Sequence, residues 1–219
     1  MDLMRLLRSL EEFLYELVGW LVFYPRTFWR ILRHPGAIAR YTRIELTQES
    51  ERQFEETISP VLMLVLSVIL VHAFELAMKI PLPPNPSAVG QILFGSEQGL
   101  LLTRSAAFSV FALGAALGTL HQNRRAITRT TLREPFSIQA FLVCPFLVLF
   151  SAGEMLARPT GAWVGHVLAG GAVAWYVMAR VIAYRALNQA GWLRSIGLVL
   201  VSFLTTVVLL LLTLYFLLM

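Results

Sequence analysis

The chain carries little charge for its size. Only 14 % of its 219 residues are Asp, Glu, Lys or Arg, whereas a water-soluble domain carries about a quarter. That deficit excludes an ordinary soluble enzyme and a charged disordered tail. Cys144 is the single cysteine, so a secreted disulfide scaffold is excluded and the thiol is expected to pack as a small apolar side chain. Lysine is almost missing: Lys79 stands alone beside 17 arginines, an imbalance that codon bias explains without selection for phosphate forks. No Walker loop, dinucleotide fingerprint, HExxH, CxxC or nucleophile elbow occurs, so no catalytic residue, cofactor or metal ligand set is assigned. The pair His72-x-x-Glu75 has the spacing of two ligands on one helix face, which is too few for a metal site. The N-terminal stretch does not read as a cleavable signal peptide, because Glu11, Glu12 and Glu16 interrupt its apolar residues.

What the chain has in abundance is apolar residues, 57 % of the total, with a mean hydropathy of +0.68. They fall in five runs, about 60–80, 100–120, 136–157, 161–184 and 193–219, each close to the ~20 residues a helix needs to cross a bilayer. The expected fold is all-α: a polytopic membrane bundle of five transmembrane helices (59–219) behind an amphipathic, interfacial N-terminal helical segment (1–58).

The net charge of +5 and pI near 9.9 do not call for nucleic acid as a partner, because the basic residues follow the membrane topology. They cluster before the first run, in 121–135 and around 185–194, while the alternate connections are poor in them. The positive-inside rule then places the N-terminus in the cytoplasm and the C-terminus outside.

Residues 3–24 place leucines and aromatics at spacings of three and four, the pattern of an amphipathic helix lying in the membrane interface. Pro25 suits the first turn of a second short helix, 25–34, which Pro35 and Gly36 end. Its Arg26, Trp29, Arg30 and Arg33 are candidate contacts for anionic lipid headgroups, with interfacial anchoring as the simpler alternative. A polar, helical connector is expected over 37–57.

Ionisable groups inside a membrane are costly, so they mark where function is sought. His72 and Glu75 share a face of the first run, and Arg104 enters the second run at matching depth, which predicts a Glu75–Arg104 ion pair. Glu154 and His166 are expected to join the same layer, either lining an outward polar cavity or simply reaching the headgroups while the ion pair pins the first two spans together. Arg180 and Arg194 are expected to reach an interface. Gly114 and Gly118 in the second span, and Gly165 and Ala169 in the fourth, form small-residue stripes for close helix packing. Gly170 and Gly171 are read the same way. A kink is expected at Pro145. The connection 81–100 reads as a stiff proline stretch followed by a short interfacial or re-entrant helix.

The segment FYPRTFWRILRHP, Phe23 to Pro35, followed by a charged connector and five spans starting at Ile58-Ser59-Pro60, resembles bacterial members of the Yip family. The eukaryotic DLYGP-type signature is absent. The resemblance implies a small five-span, permease-like protein of the inner (cytoplasmic) membrane with a cytoplasmic N-terminal region, and it carries no functional residue over. Two functions follow as expectations. The first is a non-enzymatic protein that binds or moves a small or lipidic ligand through an outward polar cavity. The second is an assembly subunit with a membrane protein partner or a second copy of itself.

Overall fold

The computed structural model describes residues 3–49, 52–80, 87–160 and 163–218. Among these the chain is all helical: α1 (Leu3–Arg33), α2 (Pro35–Glu45), α3 (Pro60–Ala77), α4 (Ala88–Phe94), α5 (Glu97–Gln122), α6 (Arg129–Thr160), α7 (Trp163–Asn188) and α8 (Trp192–Leu218). Five of them, α3 and α5–α8, are long and apolar enough to cross a membrane. The chain is a polytopic five-helix membrane bundle.

Helix α6 is the axis. Of its spanning window 67 % is buried, against 22 % for α5 and for α8, so α6 is enclosed while α5 and α8 keep broad faces for lipid. Residues 137–147 of α6 are buried on every side, and α1, α2, α3, α5 and α7 all pack on it. Around Phe146 an aromatic layer knits four helices together: Phe146 stacks on Tyr176 at 4.8 Å and meets Phe108 and Phe111 edge-on, while Phe203 reaches Tyr176 and Phe111. Cys144 lies buried here as a free thiol, donating to the Ala140 carbonyl at 3.0 Å. Helix α6 continues through Pro135 and Pro145.

The N-terminal segment differs from its expected form at both prolines. Pro25 lies inside an unbroken α1 of 31 residues, about 46 Å long. The missing N–H at Pro25 does not break the helix because both flanks are tied down. Tyr24 shares a 2.9 Å hydrogen bond with Ser67 of α3, Phe28 stacks on Tyr24, and Thr27 is buried. Burial pushes the Tyr24 phenol up to about 12, against the opposing pull of the Ser67 bond.

Pro35 and Gly36 do follow the end of a helix, but they also start the next one. Pro35 takes the first position of α2, where no N–H is needed. The connector 37–57 is helical only as far as Glu45. Beyond it the Glu45 carboxylate accepts from the Phe54 backbone N–H at 2.6 Å, which closes the turn and seats Phe54 against Phe141 of α6. Ile31, Ile38 and Phe54 belong to the same core as α3 and α6, so this segment is built into the bundle. The first half of α1 is not: Leu7, Leu10, Phe13, Leu14 and Leu17 are all exposed.

Glycine sets two helix contacts. At Gly165 of α7 a Cβ would lie 2.5 Å from the Ala157 nitrogen and 2.6 Å from the Gly153 carbonyl oxygen, so α6 and α7 touch backbone to backbone. Gly114 and Gly118 of α5 do the same work against α8, facing Thr206 and Ser202. Gly170 and Gly171 correct the expectation of close packing, since no atom lies within 4 Å of where their Cβ would be. They sit on the outer face of α7.

Candidate functional site

The bundle has two chemically different ends. At one, α3, α6 and α8 begin and α5 and α7 finish, and the arginine-rich connections gather there. Arg43 of α2 donates to Glu134 at 2.6 Å and to the Leu187 carbonyl at 3.3 Å, and Arg133 donates to Gln53 at 2.7 Å. Helices α2, α6 and α7 and the connection before α3 are thereby fixed together at this basic end.

The opposite end holds the sequence-predicted polar layer. Arg104, about two turns into α5, grips Glu75 of α3 with two parallel bonds. Nη2 to Oε1 is 2.7 Å, and Nη1 donates to Oε2. Such a fork fixes orientation as well as charge. Glu75 is 7 % exposed, so the pair is largely shielded. His72 Nε2 lies 3.6 Å from the Glu97 carboxylate, and His72 Nδ1 is buried without a hydrogen-bond partner. Glu97 was missed by sequence reasoning. Its signal was the Ser96 cap, whose hydroxyl accepts from the Gly99 N–H at 3.0 Å, because an acid in a first helical turn is favoured by the helix dipole.

Glu154 is half-buried on α6 and His166 faces outward from α7. The expected layer therefore resolves into a closed Glu75–Arg104 fork and a His72–Glu97 contact, with His166 turned away. Glu75 and Arg104 neutralise each other, and the layer does not close into a polar chamber.

The cleft at this end is apolar. It holds about 480 Å³ between α4, α5 and α8, walled by Leu100, Ala106, Ala107, Val110, Leu210 and Leu214, with Thr103, Arg104 and Thr213 as its polar members. Thr103 donates to the Leu93 carbonyl at 3.0 Å, which pins α4 over the mouth. From Leu100 to Val110 the cleft follows α5 for about 15 Å, half the ~30 Å hydrocarbon thickness. Its depth is that of one leaflet. Arg104 uses two of its five N–H groups on Glu75.

Arg180 corrects another expectation. It does not reach an interface; it is 3 % exposed in the bundle. Side chains on a helix lean toward its N-terminus, and α7 ends at the basic end, so Arg180 leans away from the nearer interface. Its Nη2 donates to Ser202 of α8 at 3.0 Å and its Nε has no hydrogen-bond partner. Its guanidinium lies 5.6 Å from the Tyr176 ring. Direction of the chain within the span was the signal that identifies such a residue.

Of the four residues expected at lipid headgroups, Arg26 and Trp29 are exposed. Arg33 lies over the Trp29 ring at 4.2 Å. Arg30 is drawn inward instead, 4.4 Å from the Tyr41 ring and 4.0 Å from Glu56. Among the described residues no group of three His, Cys, Asp or Glu is placed to hold a metal.

No protein-family model, curated protein or solved structure matches the chain. Its class is defined by its own helices: a five-span membrane protein.

Proposed function

We propose that the protein is a non-enzymatic, multi-pass membrane protein that binds a lipidic ligand. The acyl part lies in the cleft between α4, α5 and α8, and the polar part meets Arg104 at the mouth. The observation that carries this reading is an apolar cleft, one leaflet deep, with an arginine at its headgroup end. An acyl chain gains nothing from a polar chamber, and this site offers hydrocarbon walls and the remaining N–H groups of an Arg104 whose charge Glu75 already balances. By the positive-inside rule the basic end faces the cytoplasm and the cleft opens in the outer leaflet. A cytoplasmic N-terminal segment before five spans is what the resemblance to bacterial Yip proteins leads one to expect.

The test fills the cleft. Ala106 lines it and is exposed, so Ala106→Trp blocks the space without entering the core. A ligand that binds only the folded state stabilises it, by about 2.7 kcal/mol at a hundredfold excess over Kd. Adding phosphatidylcholine, which carries no net charge, to the detergent-solubilised wild type should raise its melting temperature. Ala106→Trp should melt like the wild type without lipid and lose that gain; an equal gain in both proteins overturns the reading.

A second reading rests on a separate observation. The exposed leucines of the first half of α1 present an apolar face that nothing among the described residues covers, which suits a role in assembly with another membrane protein.

A further inference from the structure

The basic end carries a groove that is independent of the cleft. It lies where the α1–α2 corner meets the last turns of α7 and encloses about 510 Å³. Its walls include Arg33, His34, Arg40 and Arg185, and no Asp or Glu. Three guanidinium groups without a carboxylate among them are mutually repulsive, an arrangement that an anion relieves.

Close packing assembles the groove. Gly36, at the start of α2, sits so near α7 that a Cβ there would lie 3.1 Å from Ile182 and 3.3 Å from Ala186. This brings the start of α2 beside Arg185, one turn from the end of α7.

Two tryptophans set the depth. Arg33 lies over Trp29 at 4.2 Å and Arg185 over Trp192 at 3.7 Å. Both indoles are about half exposed, at 51 % and 49 %, and exposed tryptophans at span ends mark the headgroup level. Arg185 Nε also donates to the Ala190 carbonyl at 3.1 Å, which folds the α7–α8 turn against the groove. A cationic groove at headgroup depth faces lipid phosphates before any soluble anion.

We propose that this groove binds the phosphate of an anionic phospholipid headgroup, held by Arg33, Arg40 and Arg185.

The proposal is tested on the full chain in detergent by titration with phosphatidylglycerol, phosphatidylcholine or glycerol 3-phosphate, following bound mass by native mass spectrometry. The Ala106→Trp background keeps lipid in the other cleft from contributing, so this result is separate from that reading. Phosphatidylglycerol should bind in preference to phosphatidylcholine. The double variant Arg33→Gln, Arg40→Gln should bind it roughly thirtyfold more weakly, from two lost arginine contacts near the membrane surface. Both side chains are exposed, so its lipid-free melting temperature should match the parent. Arg26→Gln removes an exposed arginine outside the groove and should leave binding unchanged. Equal losses in Arg26→Gln and the double variant, equal binding of phosphatidylcholine, or glycerol 3-phosphate binding as tightly as the lipid would each overturn the proposal.

Discussion

Replacing Glu75 with glutamine is expected to destabilise the bundle by about 3–5 kcal/mol, because it leaves Arg104 largely buried without its counter-charge. In thermal unfolding in detergent this corresponds to a loss of roughly 10 °C for a chain of this size. The cost comes from the orphaned charge more than from the lost attraction. The double variant Glu75→Leu, Arg104→Met should therefore recover most of the loss, since an apolar pair of similar volume removes both charges together. Wild-type melting of Glu75→Gln would mean that the fork between α3 and α5 contributes nothing.

The second large effect is steric. Gly165→Val places a branched side chain where a Cβ already falls 2.5 Å from a backbone nitrogen of α6. Backbone cannot rotate aside as a side chain can, so α6 and α7 must separate. The cost belongs at or above the top of the range for overpacked cores, about 3 kcal/mol. Expression in membranes followed by size-exclusion chromatography should show little folded protein. Gly170→Ala, five residues along the same helix, meets nothing within 4 Å and should be neutral or slightly stabilising, since alanine favours a helix. A folded, wild-type-like Gly165→Val would remove the backbone contact from the account.

These two predictions differ in how visible their causes were in the sequence. The five spans were legible because bilayer thickness fixes the length of an apolar run. The Glu75–Arg104 pair was legible because rise per residue converts position into depth. Facing direction is harder to read. Gly165 and Gly170 are both glycines in one apolar helix, yet one touches α6 and the other faces outward. Periodicity places residues on a shared stripe, and only packing decides which stripe meets a neighbour.

Arg180 needed the direction of the helix as well as its depth. Pro25 was misjudged for a different reason. A proline removes one hydrogen bond, and tertiary anchors such as the Tyr24–Ser67 bond decide whether the helix breaks there. The apolar cleft had no local signal, because its walls come from α4, α5 and α8, which are far apart in the chain.

Mass spectrometry of the intact protein released gently from its own membrane tests the lipid-binding reading most directly. The Arg33→Gln, Arg40→Gln background removes the contribution of the basic groove. The account predicts a population carrying a single lipid mass, lost when Ala106→Trp is added. A bare protein in that background, or the same lipid retained with and without Ala106→Trp, would contradict it.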